Sequence, residues 1–149
     1  MKNLLLSIAL FALLQVSHAA DNTGLVWHTS LPVAQEKAKV GSKILLLDFT
    51  GSDWCGWCKR LNKEIFQTPE FTEYAKKNLE LVEVDFPQRK KQTSELKKAN
   101  EALQSKFQVR GYPTLIILNS AGKKIGELGY QEGGPKPFIA ELEKLRAKG

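Results

Sequence analysis

The run Ile44-Leu45-Leu46-Leu47 restricts the fold of this chain more than any other stretch. In an extended segment successive side chains point to opposite faces of a sheet. Four apolar residues in a row therefore ask for cover on both faces. Helices packed on each side of a largely parallel sheet meet that demand. The remaining pattern agrees. Leu25–His28 reads as a short strand, and Ser30–Lys39 as a helix with Ser30 at the N-cap and Pro32 near the start. Leu61 and Ile65 lie four apart on a helix after Cys55. Thr68-Pro69-Glu70 then opens another helix, with Phe71, Tyr74 and Ala75 inward. Leu79–Asp85 reads as a strand. Leu96, Ala99, Leu103 and Phe107 mark one helical face. Thr114–Leu118 and Lys123–Gly129 read as strands joined by a turn at Asn119–Gly122, and Phe138, Leu142 and Leu145 line a last helix. The expected class is α/β, with parallel pairs finished by a hairpin.

The first nineteen residues stand apart. Lys2 precedes an apolar run from Leu4 to Leu14, broken only by Ser7, and Ser17-His18-Ala19 places small residues at the positions a signal peptidase reads. A membrane span needs roughly 18 or more apolar residues, so residues 1–19 read as a signal peptide rather than an anchor. The expected domain is Ala20–Gly149, exported to the periplasm or secreted, with no stable membrane insertion after cleavage. The formal charge of +6 drops by one when Lys2 is removed, which is only mildly basic. Aromatic residues interleaved with basic ones are absent, so nucleic acid is not an expected partner.

The chain has two cysteines, Cys55 and Cys58, in the segment Trp54-Cys55-Gly56-Trp57-Cys58-Lys59. They lie between the buried strand and a helix start. Unpaired backbone N–H groups at such a start stabilise a thiolate and lower its pKa below about 8.5. Cys55 is then the better nucleophile and Cys58 the resolving thiol. A structural staple is a poor alternative, because a four-residue ring stabilises by only about 2 kcal/mol against nearly 5 for a 100-residue loop. A zinc site lacks ligands, since only His28 would join the two cysteines after export. A shared or copper(I) site stays open. Trp54, Gly56 and Trp57 suggest a recognition surface: Gly allows close approach and the aromatics offer contact area.

Asp48 follows the apolar run and leads into this loop. A carboxylate there is costly unless hydrogen-bonded or neutral. It is a candidate proton acceptor for Cys58; the alternative is a carboxylate that caps the turn Thr50-Gly51-Ser52. Tyr112-Pro113-Thr114 opens a later strand. A cis bond at Pro113 would expose the Tyr112 backbone to an extended substrate, while an ordinary trans bond is the competing reading. Lys59, Arg60 and the run Arg89-Lys90-Lys91 read as solvated charge, and His28 as a surface residue.

Asp48 after a hydrophobic strand, the Trp54–Lys59 segment opening a helix, and Gly111-Tyr112-Pro113-Thr114 opening a strand together resemble the thioredoxin superfamily. The likeness runs from about Trp27 to Leu145. Phe49-Thr50-Gly51-Ser52-Asp53-Trp54-Cys55-Gly56-Trp57-Cys58-Lys59 is similar to secreted thioredoxin-like proteins related to the C-terminal domain of the bacterial thiol:disulfide interchange reductase. The resemblance implies a thioredoxin-like fold, a central mixed sheet flanked by helices. It also implies a nucleophilic Cys55, a resolving Cys58 that pairs with it as the redox disulfide, a buried acid at Asp48 and a cis Pro113. There are departures. Gly56-Trp57 stands where thioredoxins usually carry Gly-Pro, the loop between Asp48 and Cys55 is one residue longer, and Glu83 stands where a lysine is common.

Two function classes follow. One is a thiol–disulfide oxidoreductase, more a reductase than an oxidase, acting on protein disulfides or thiols without a cofactor. Trp54, Gly56, Trp57, Tyr112 and Pro113 would meet the substrate, and an upstream membrane electron donor would recharge the cysteines. The other is a module that binds proteins or copper(I) without turnover.

Overall fold

Strand β2 (Ile44–Thr50) is buried at all seven positions and forms the middle of the sheet. The computed structural model describes residues 23–149; the expected signal peptide, 1–19, and the start of the exported domain lie outside the described residues. Around β2 the strands run in the order β1-β3-β2-β4-β5. Strands β1 (Trp27–His28) and β3 (Leu79–Asp85) are parallel to β2 on one side; β4 (Thr114–Leu118) and β5 (Lys124–Leu128) are antiparallel on the other. The sheet is mixed, as the sequence implied.

The alternation of β2 divides the core. Ile44 and Leu46 face a cluster with Leu61, Phe66, Phe71 and Phe138, and Leu45, Leu47 and Phe49 face a second with Leu31, Ala34, Val82 and Val84. Helices α2 (Gly56–Leu61), α3 (Pro69–Asn78) and α5 (Pro135–Arg146) supply the first cluster, whereas α1 (Leu31–Gly41) and side chains of α4 (Ser94–Phe107) supply the second. Full burial of one such aliphatic or aromatic side chain stabilises by about 1.5–3 kcal/mol. A strand covered on both sides is thus a rigid mount for whatever its end carries. Among the described residues no helix is long and apolar enough to cross a membrane.

The sequence reading needs four local corrections. The inward face of α4 uses Asn100 in place of Ala99: Ala99 is exposed and Asn100 is buried. Asn100 Nδ2 donates to the Asp85 carbonyl at the free edge of β3, 2.9 Å, which offsets part of the cost of burying this side chain, while its Oδ1 has no partner. The helix after Cys55 gives way to a π-helical turn at Asn62–Phe66. Ser30 occupies the N-cap of α1 but its side chain makes no capping bond. His28 is half-buried; its Nε2 lies 3.1 Å from a Glu80 carboxylate oxygen whose partner oxygen accepts from Lys43 Nζ, also at 3.1 Å. By contrast, Thr68 caps α3 as expected, accepting the Phe71 N–H.

Candidate active site

The C-terminal end of β2, the C-terminal end of β3, the start of β4 and the start of α2 meet at one end of the sheet. Strand β2 leaves the core at Thr50 and turns over residues 51–54, where the Gly51 carbonyl accepts the N–H groups of Trp54 (3.1 Å) and Cys55 (2.8 Å). Gly51 is required by contact: a Cβ there would lie 2.5 Å from the Trp54 indole. Cys55 is the extended N-cap residue of α2, and its sulfur accepts the Cys58 N–H at 3.2 Å. Cys55 and Cys58 are joined by a disulfide with Cα atoms 5.3 Å apart. A Cβ on Gly56 would meet nothing within 4 Å among the described residues, so the close approach that Gly56 permits is open to another molecule.

Asp48 lies two residues before the end of β2, buried, with Oδ1 lacking a hydrogen-bond partner. Its register partners are Glu83 on β3 and Leu115 on β4. Burial, reinforced by the negative charges of Glu83 and Asp85, pushes the Asp48 carboxyl up to about 8. Burial also raises Glu83, with Asp85 adding and Lys90 opposing. Asp48 does not cap the turn. That task falls to Asp85 of the neighbouring strand, which accepts Ser52 N–H at 2.9 Å and Ser52 Oγ–H at 2.5 Å. Asp48 is therefore left as a readily protonated acid, with Oδ1 unbonded, on the strand that leads into the cysteine loop.

The Tyr112–Pro113 peptide bond is cis. Because Thr114 pairs with Phe49, Pro113 sits at the same sheet end as the cysteine loop. Tyr112 stacks on Phe86 at 5.2 Å and meets Trp54 edge-on at 6.0 Å, and its hydroxyl accepts from Gln104 Nε2 at 2.8 Å. The indole N–H of Trp54 donates to the Phe86 carbonyl at 2.8 Å. Trp57 lies on the other flank, 5.3 Å from Tyr130, with the Arg60 guanidinium over both rings at 5.5 and 5.3 Å. Glu64 fixes this group by accepting from Arg60 Nε (2.7 Å) and the Tyr130 hydroxyl (2.5 Å). Phe86, Arg60, Glu64 and Tyr130 were not singled out as site residues by sequence. Arg60 and Glu64 had a visible i,i+4 spacing; Phe86 and Tyr130 had no local signal, because long-range pairing brings them in. Among the described residues no group of three or more His, Cys, Asp or Glu side chains is placed to hold a metal ion.

A Cys-X-X-Cys disulfide at a helix N-cap can exchange with external thiols, because a freed Cys55 thiolate would keep the Cys58 N–H as a donor. Comparison with known proteins points the same way. The family model described as a thioredoxin-like domain matches residues 31–146. The chain is 35% identical over 136 residues to the disulfide bond reductase DsbH of Chlamydia pneumoniae, covering 89% of this chain and 81% of that protein. It is 33% identical over 126 residues to the thioredoxin-related protein DsbJ of the same organism, covering 85% of this chain but 36% of that longer protein. A solved structure of a DsbH oxidoreductase superposes with a TM-score of 0.78 at 35% identity, over 83% of this chain and 85% of that one. The chain belongs to the thioredoxin-like family and carries, in Cys55 and Cys58, the cysteine pair of a thiol–disulfide oxidoreductase.

Proposed function

We propose that this protein is an exported disulfide reductase that acts outside the cytoplasm on proteins. The observation that carries the reading is the Cys55–Cys58 disulfide at the start of α2, with the buried Asp48 on the strand that leads into its loop. In the reduced protein the Cys55 thiolate attacks one sulfur of a substrate disulfide. A mixed disulfide forms and the other substrate sulfur leaves as a thiolate. Asp48 takes the Cys58 proton, and the Cys58 thiolate then attacks the Cys55 sulfur. The second substrate sulfur leaves, two electrons have passed to the substrate, and the protein disulfide described above is formed. Trp54, Gly56, Trp57, Tyr112 and Pro113 line the surface where the substrate chain lies. The direction, reduction, is supported by the name of the similar DsbH protein, a disulfide bond reductase. Residues 1–19 act as the signal peptide. With no third cysteine in the sequence, the electrons must be replaced from outside, and a membrane-embedded donor fits that need.

The test is insulin reduction with dithiothreitol as electron source. Wild type should turn insulin over, and Cys55→Ser should fall to the background rate. Equal rates for the two would overturn the reading. Equilibration with glutathione tests the direction: a potential near −270 mV fits a reductase, and one near −120 mV an oxidant.

A further inference from the structure

The run Arg89-Lys90-Lys91 looks like solvated charge in the sequence, but the fold fastens its first two residues to the active-site loop. One Asp53 carboxylate accepts three successive backbone N–H groups: Gln88 at 3.0 Å, Arg89 at 2.7 Å and Lys90 at 2.8 Å. Such a nest of amides holds an anion firmly, and the Asp53 carboxyl is lowered to about 2, with the Gln88 N–H the largest cause. The side chains then turn back over the loop. Arg89 Nη2 (2.8 Å) and Lys59 Nζ (3.1 Å) donate to the same Asp53 carbonyl oxygen, and Lys90 Nζ donates to Ser52 Oγ at 3.0 Å. Three exposed cations thus converge on Ser52-Asp53, just ahead of Cys55.

Their acceptors are neutral oxygens, and among the described residues none of the three forms an ion pair. The carboxylates that face them offset part of this charge: Asp53 interacts with Arg89 and Glu83 with Lys90. Asp53 is taken by backbone amides, Asp85 is buried and taken by Ser52, and Glu83 lies in the recess beneath Lys90. The opposite flank is different, since Arg60 is matched by Glu64. Counting Lys91, four cations stand against the three carboxylates Asp53, Glu83 and Asp85, which leaves positive charge in excess on this side of the disulfide. A charged rim beside a reacting atom raises the encounter rate with partners of opposite sign, and salt weakens the effect.

We propose that Lys59, Arg89 and Lys90, with the last two positioned by Asp53, form a cationic rim that selects disulfides flanked by carboxylates, so that acidic segments are the preferred substrates. The proposal rests on the reading of Cys55 as the nucleophile. The test uses the reduced full-length protein and three small disulfides: dithiodipropionate (anionic), hydroxyethyl disulfide (neutral) and cystamine (cationic). Initial rates are corrected for each disulfide's rate with a free thiol. The anionic disulfide should react about tenfold faster than the cationic one at low salt, and the gap should shrink to about twofold near 0.5 M salt. Arg89→Glu with Lys90→Glu should reverse the order, read as a ratio to the neutral disulfide in the same sample. The wild-type salt series needs no variant, so a variant that fails to fold does not rescue the proposal. Equal corrected rates for all three disulfides overturn the rim and leave the reductase reading intact. Failure of wild type to react even with the neutral disulfide, at the level of Cys55→Ser, overturns both.

Discussion

The two tryptophans that bracket Cys55 are both exposed, yet the walls they belong to are built differently. Trp54 is held by polar bonds and contact: its indole N–H reaches Phe86, its ring fills the space above Gly51, and the adjacent Asp53 and Ser52 are tied to the 85–90 segment. Trp57 is held by stacking alone, against Tyr130 and under Arg60, with Glu64 steadying those two. Buried carboxylates lie beneath the first wall; the second rests on surface charge. One wall sets the position of the cysteine loop, and the other presents a face that can adapt to what it touches.

The largest expected effect tests Asp48, the buried acid on the strand that leads into the Trp54 wall. The folded pKa of Asp48, about 8, is above its ordinary value of 3.8, so its stabilising contribution is whole below about pH 4 and is lost as pH rises through 8. Asp48→Asn should therefore match wild type near pH 4 and exceed it by about 2–4 kcal/mol at pH 9, in urea denaturation of the oxidised protein. The same gain at both pH values would mean that Asp48 titrates normally. Next in size is a pair of glycine variants. Gly51→Ala drives a Cβ into the Trp54 indole and should cost about 1–3 kcal/mol. Gly56→Ala meets open space and should be neutral or slightly stabilising, by up to about 1 kcal/mol. Equal stabilities would erase the distinction between the walls. The smallest effect belongs to Tyr130→Phe, which removes the bond to Glu64. Turnover of insulin should fall less than about threefold, in line with one partly buried hydrogen bond, while tryptophan fluorescence changes. A tenfold loss would show that the Trp57 wall is as rigid as the other.

Legibility in the sequence followed the range of the interactions. Ile44–Leu47 and the β-branched run of β4 announce strands because each residue carries its own burial signal. The Trp54–Lys59 segment is legible because chemistry and recognition crowd into six consecutive positions. Parallel pairs finished by a hairpin followed from the alternation of elements, and a cis Pro113 was one of two local readings that the family resemblance decided. What stayed hidden depends on partners distant in the chain. Asn100 turns inward to the edge carbonyl of Asp85, which Gln92 Nε2 also reaches, and nothing near residue 100 in the sequence says so. Asp85, not Asp48, ties the turn because strand register brings it alongside Thr50. The hold of Asp53 on residues 88–90 spans 35 to 37 positions and leaves no periodic trace.

The π-helical turn at Asn62–Phe66 has a consequence for how the redox helix is gauged. In that turn Gln67 N–H bonds to the Asn62 carbonyl, five residues back, so the helix holds one residue more than an α turn would. The surplus lets Ile65 and Phe66, neighbours in sequence, both enter the core, while Glu64 stays at the surface to hold Arg60 and Tyr130. The helix thus works as a vernier. Two spacings are set against each other along one rod, so that its first turn fits the cysteine loop and its last fits the core. Removing the extra residue would give a more regular helix whose two ends no longer fit at once.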